Sequence, residues 1–232
     1  MKNTQNNSLD EDKIILSLYN EGITKVPNLF DNELLTKILK AKEDIFFEFP
    51  YGQNNNYEKN QYEDIKRGEY PIKNPLELDK IFRRILENKT INNIAEFVLG
   101  KNYYFTNMSM RIITKTDYIL YTHRDHCGGI SFSLLLDDIT INQGETFFYR
   151  NSYNNPPPAF VDLNKFSSSI VQTVGVKGDV YFWFPDSWHG RNHNFSNKKT
   201  CILMCDIQNE STEKKIISIY SNNGEKNKTF LN

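Results

Sequence analysis

From residue 103 onward the chain is a succession of short segments rich in Val, Ile, Tyr, Phe and Thr, with no helical period between them. They fall at 103–114, 118–123, 129–136, 146–149, 170–176, 179–184 and 200–207, and turn residues separate them. Parallel strands need a crossover of a dozen or more residues, usually helical, between each pair. Strands that follow one another without helices therefore predict an antiparallel sandwich or jelly roll rather than a parallel α/β sheet. The run Pro156-Pro157-Pro158 cannot sit inside a strand and marks a long connection.

The first hundred residues have a different texture. Residues 13–20 suit a short helix, and 22–27 a turn into a brief strand. Asp31 has the chemistry of an N-cap, because its carboxylate can accept from a free amide of the first turn. Leu34, Leu35, Ile38, Leu39, Ile45 and Phe46 then keep helical spacing. Residues 51–75 are polar and aperiodic, which predicts a long surface loop that serves as a lid. Pro75 opens a second helix with Leu78, Ile81, Phe82, Ile85 and Leu86 on one stripe, and a third runs over 91–99 and stops at Gly100. The expected architecture is mainly β. It has a polar tail at 1–12 and a single domain over 13–232, made of a helical flank at 13–100 and a jelly-roll core at 101–210.

The 232 residues carry 28 basic and 29 acidic side chains, a formal charge of −1. That balance gives no electrostatic footprint for nucleic acid or an anionic membrane, so the expected partner is a small molecule. No apolar run approaches the ~20 residues of a membrane helix, and the polar start does not resemble a secretory leader. Three cysteines without zinc-like spacing read as core thiols, and the expected location is the cytoplasm.

Within the strand-rich half, His123-Arg124-Asp125 stands at the end of one strand. Residues i and i+2 of a strand share a face. His123 and Asp125 therefore point one way, with Tyr121 on the same face, and Arg124 points the other. His189 follows the strand 179–184. Two imidazoles and one carboxylate form the ligand set of a non-haem Fe(II) oxygenase, which leaves one side of the metal open. Alone, either histidine would be an ordinary polar residue at a strand end. Lys199 lies ten residues beyond His189 (199 − 189 = 10) and is placed to pair with the far carboxylate of 2-oxoglutarate, with Lys198 taking that role if the register slips by one. Arg111 either faces the pocket or lies on the surface. Trp188 is a candidate shield of the site and Trp183 a core residue. His126 and His193 read as turn residues.

On these motifs the chain resembles the phytanoyl-CoA hydroxylase-like branch of the Fe(II)/2-oxoglutarate dioxygenases. Residues 22–30, His123-Arg124-Asp125, Leu134-Leu135-Leu136-Asp137-Asp138, Gly178-Asp179-Val180 and Trp188-His189-Gly190 carry the likeness. The resemblance implies a double-stranded β-helix, metal ligands His123, Asp125 and His189, and the cofactors Fe(II), 2-oxoglutarate and O2. Members that halogenate lack the carboxylate kept here as Asp125, so the resemblance implies hydroxylation with release of succinate and CO2. The substrate expected is a metabolite or natural-product intermediate. Gly144-Glu145-Thr146-Phe147-Phe148, with a lysine at Lys199, is also similar to the prolyl-hydroxylase branch, which makes a peptidyl hydroxylase an alternative within the class. Outside it stands a non-catalytic jelly-roll binding module.

Overall fold

Two antiparallel sheets face one another in the computed structural model, which describes residues 10–50, 67–125, 128–154 and 170–211. Helices and two short strands precede the first long strand. Helix α1 (Glu11–Glu21) is capped by Asp10, whose side chain accepts from the Lys13 amide. It ends at Gly22, which takes the left-handed conformation at φ 78°. Strand β1 (Ile23–Val26) follows directly. Helix α2 (Asn32–Glu48) begins as the sequence predicts, with the Asp31 carboxylate 2.7 Å from the Leu34 amide.

The helical flank departs from expectation in two places. The single helix predicted from Pro75 is broken. It forms α3 (Pro75–Leu78), a 3-10 turn (Lys80–Phe82) and α4 (Arg83–Leu86). Asp79 causes the break: its backbone is extended, at φ −146°, and its side chain accepts from the Ile81 amide. Apolar spacing alone does not reveal a local side-chain to backbone bond that competes with the helix. Asn88 caps the next helix, α5 (Lys89–Leu99), rather than closing the previous one, and Gly100 ends it. The second departure is at Glu69–Lys73. Predicted as loop, it is strand β2, paired with β3 (Tyr103–Ile113) at the edge of a sheet. Pro71 is tolerated there because an edge strand leaves one row of amides unpaired. The rest of the expected lid, 51–66, lies outside the described residues, as do Pro156–158 and His126.

The remaining strands are β4 (Leu120–His123), β5 (Ile130–Leu135), β6 (Thr146–Tyr149), β7 (Ile170–Gln172), β8 (Val180–Trp183), β9 (His189–Arg191) and β10 (Thr200–Asn209). The larger sheet has the order β1-β8-β5-β10-β3-β2 and the smaller β4-β9-β6-β7. This is the mainly β, jelly-roll arrangement that the strand succession predicts, with helices on one flank. Strand β9 is, with β2, an element that prediction lacked: at three residues it is too short to show alternation.

Side-chain alternation in the larger sheet separates two cores. Phe132, Leu134, Val180, Phe182, Met110, Ile112, Leu203 and Cys205 face the helices and pack with Ile38, Ile45, Ile91 and Ile94. Their neighbours along the same strands face the other sheet. There Leu135, Tyr181 and Trp183 meet Phe148, with Ile202 and Met204 beside them. The Phe148 and Trp183 rings stand 5.4 Å apart and tie the two sheets together. The strand backbones are thus held from the helix side, and the space between the sheets is left for chemistry. Phe182→Ala, which deletes a ring fully buried on the helix side, should lower unfolding free energy by about 3–5 kcal/mol in urea denaturation.

Candidate metal centre

Strands β4 and β9 of the smaller sheet are antiparallel neighbours, and their register sets His123 directly opposite His189. The two rings stand 4.4 Å apart between centroids. Asp125 lies two residues past His123, where its amide donates to the Pro185 carbonyl at 3.0 Å. One carboxylate oxygen lies 3.3 Å from His189 Nε2 and the other 3.8 Å from His123 Nε2. One ligand atom from each of the three residues falls within 4.8 Å of the others. Three donors each ~2.0–2.2 Å from one ion stand about 3 Å apart, so this set needs only a small contraction to share a metal.

The orientation of the rings is decided by the backbone. His123 Nδ1 is 2.8 Å from the Tyr121 carbonyl and His189 Nδ1 is 2.8 Å from the Ser187 carbonyl. A carbonyl only accepts, so each Nδ1 donates and each neutral ring presents the lone pair of Nε2. Ligating histidines are commonly fixed in this manner. Burial is graded across the three side chains: His189 is 9% exposed, His123 37% and Asp125 52%. The cluster is therefore closed behind His189 and open at Asp125. Burial pushes the Asp125 carboxyl up; in the metal-free cluster a hydrogen bond from His189 Nε2 and the charges of His189 and His123, which act when the rings take a second proton on Nε2, together with Arg111 outweigh it and hold the group below its ordinary value.

Behind the triad, the cavity between the sheets is lined by apolar groups such as Phe148, Trp183, Ile202 and Met204 and by Ser133, Thr146 and Thr173. Its charged members besides Asp125 are Glu69, Arg111 and Arg191. Glu69 Oε1 accepts from Arg111 Nη1 at 2.9 Å, and Glu69 Oε2 lies 3.4 Å from Arg191 Nη2. Burial raises the Glu69 carboxyl, but Arg111, Arg191 and Arg67 overcome this and keep it below the usual carboxylate range. Burial lowers Arg111, yet Glu69, Asp206 and Asp125 carry it above its ordinary value.

The structure brings His123, Asp125, His189 and Arg111 to one cavity and leaves the other sequence candidates outside its lining. Tyr121 is 80% exposed. Regular alternation fails in β4 because four residues, Leu120 to His123, oppose three, Arg191 to His189. The shift turns Leu120 inward in place of Tyr121. Lys199 is exposed and precedes the first residue of β10, and the inward positions of that strand are Ile202 and Met204. Odd-numbered Lys199 has the wrong parity for that face; Lys198 has the right parity but is also exposed, in the turn before the strand. Trp183 is a core residue, as expected, and also lines the cavity, whereas Trp188 stands outside the lining with the Arg124 guanidinium 5.7 Å from its ring. His193 stacks on Phe195, away from the triad.

Arg191 and Glu69 were not anticipated from sequence. Arg191 is two residues beyond His189, so the same i, i+2 rule that joined His123 to Asp125 would have found it. Glu69 carried no signal, because its strand shows no alternation and contains a proline.

No protein-family model and no curated protein sequence matches the chain. Its structure is similar to several solved ones. The epimerase SnoN from nogalamycin biosynthesis, in complex with Fe3+, alpha ketoglutarate and nogalamycin RO, superposes with a TM-score of 0.67 at 13% identity, covering 86% of this chain and 83% of the other. EctD from S. alaskensis, with 2-oxoglutarate and 5-hydroxyectoine, gives 0.68 at 16% identity over 86% and 76%. HygX from Streptomyces hygroscopicus, with nickel and 2-oxoglutarate bound, gives 0.66 at 11% identity over 85% and 86%. At these identities the likeness establishes a shared fold.

Between the two facing positions Gly190 carries no side chain, and a Cβ there would meet the Leu120 carbonyl oxygen and the Phe147 ring, each at 2.6 Å. Gly190→Val should push β9 from β4, separate the two imidazoles and raise the dissociation constant for Ni(II) by at least about tenfold, measured by calorimetry.

Proposed function

We propose that this chain is an Fe(II)- and 2-oxoglutarate-dependent oxygenase that oxidises a small organic molecule, releasing succinate and CO2. The observation that carries the reading is the pair of imidazoles with both Nδ1 atoms committed to backbone carbonyls and both Nε2 atoms turned to one carboxylate. This donor set, two neutral nitrogens and one anionic oxygen on one side of the ion, suits ferrous iron with positions left for other ligands. SnoN and HygX, which share the fold, hold Fe3+ with alpha ketoglutarate and nickel with 2-oxoglutarate respectively.

His123, Asp125 and His189 would hold the iron. Once bound, the iron with 2-oxoglutarate and O2 supplies the oxidising power, and that chemistry belongs to the metal and cosubstrate. The residues of the chain contribute placement. The Tyr121 and Ser187 carbonyls keep a proton on each Nδ1, so neither imidazole can turn to offer the wrong nitrogen. Phe148 stacks on the His189 ring at 5.1 Å and shields the buried side of the centre from water. The open side lies at the more exposed Asp125 and His123, which is where a substrate would approach. A small-molecule substrate is favoured over a polymer by the near-neutral charge and by a cavity that sits between the sheets rather than along a surface groove. EctD and SnoN, whose bound molecules are 5-hydroxyectoine and nogalamycin RO, are of this kind. Among the described residues no helix is long and apolar enough to cross a membrane, and Cys201 and Cys205 are buried free thiols. Both are consistent with a cytoplasmic enzyme.

Anaerobic addition of Fe(II) and 2-oxoglutarate should produce a weak visible charge-transfer band. Admission of O2 should then form succinate. His189→Ala and Asp125→Ala should each reduce succinate formation by at least about 1000-fold, a loss of about 4 kcal/mol in barrier. Succinate release at the wild-type rate in both variants would contradict the proposal, and absence of the band in the wild type would favour the non-catalytic binding module.

A further inference from the structure

We infer that Arg111 and Arg191, braced by Glu69, form the clamp for the distal carboxylate of the keto acid, and that Lys199 does not. The inference rests on the function proposed above. It begins from a shared counter-ion. Two guanidinium groups contact the single carboxylate of Glu69, while Asp206 and Asp125 act on Arg111 only through space. Arg191 is 5% exposed, yet among the described residues its Nε and Nη1 have no hydrogen-bond partner, and the Nε of Arg111 has none either. A buried donor without an acceptor costs about 1–3 kcal/mol, and more when charged. Such atoms mark the place of an absent acceptor.

Geometry selects a dianionic keto acid as that acceptor. Arg191 is two residues along β9 from His189, a separation of about 6.6 Å between their Cα atoms on one face of the strand. A five-carbon keto diacid chelated at the triad through its keto acid end can extend its other carboxylate toward that guanidinium. Arg111 approaches from the opposite sheet, where it pairs with Ile202, a cavity residue. The two planar groups offer the forked donor geometry that matches a carboxylate, which a lysine cannot. Glu69 does not touch the ligand in this account. It is a positioning residue: it holds Arg111 at 2.9 Å, and the Arg67 carbonyl, 3.2 Å from Arg191 Nη2, fixes the second guanidinium.

The test compares 2-oxoglutarate with 2-oxopentanoate, which has the same keto acid end and chain length but no distal carboxylate. Binding of each to Ni(II)-loaded protein is measured by calorimetry, with no turnover. Wild type should prefer 2-oxoglutarate by about 10–150-fold, the size of a charge-assisted contact. Arg191→Met and Arg111→Met should each reduce that preference to a few-fold while leaving 2-oxopentanoate and Ni(II) affinity within about threefold of wild type, and Lys199→Ala should preserve the preference. A purely structural role for the arginines would weaken both ligands equally. A preference that persists in both arginine variants, or one that vanishes in Lys199→Ala, overturns the clamp alone. Failure of wild type to bind 2-oxoglutarate with Ni(II) in place overturns the proposed function as well. If the arginine variants do not fold, as judged by circular dichroism, surface Lys199→Ala decides: a retained preference supports the clamp and a lost one overturns it.

Discussion

The antiparallel pairing of β4 with β9 is the constraint on which the rest of the site depends. It sets His123 opposite His189 although 65 residues separate them in sequence (189 − 123 = 66, less one). Each imidazole is then oriented by the carbonyl two residues before it, so backbone geometry alone decides which nitrogen faces the shared carboxylate. The same register carries Arg191 inward beside His189. His189, a candidate metal ligand, and the buried guanidinium of Arg191 are thus parts of one three-residue strand, and they cannot be positioned independently. Gly190 between them is the space through which β4 and Phe147 come close.

The larger sheet allows that strand to be short. Its helix-facing residues form a packed core with α1, α2 and α5, so most of its stabilising apolar burial is spent on one side. The opposite face can then carry Ser131, Ser133 and Arg111 among its apolar groups without loss of the fold. Polar groups in this space are satisfied mainly by one another. Ser131 donates to Asp206, and Glu69 accepts from Arg111. Burial pushes the Asp206 carboxyl above its ordinary value. Among the described residues that line the cavity, the exceptions are Nε and Nη1 of Arg191 and Nε of Arg111.

The mainly β class and the placement of His123 beside Asp125 were legible because both rest on period-two spacing, a local property of sequence. The β1 strand, the Asp31 cap and the Gly100 stop were legible for similar reasons. What escaped was decided by tertiary pairing. Tyr121 was assigned inward by strict alternation, and a bulge that arises only from pairing with β9 turned it out. Glu69 sits on an edge strand with a proline, and its role comes from partners 42 and 122 residues away (111 − 69 and 191 − 69). Spacing from His189 points to Lys199 but does not reveal where β10 begins, and one residue of register separates the two faces of a strand.

The claim that three side chains, remote in sequence, hold one ferrous ion is tested most directly by crystals grown anaerobically with Fe(II) and examined at the iron absorption edge. The account predicts one anomalous peak, about 2.0–2.2 Å from His123 Nε2, His189 Nε2 and a carboxylate oxygen of Asp125. A peak held by other residues, or none at this position in crystals that contain iron, would contradict it.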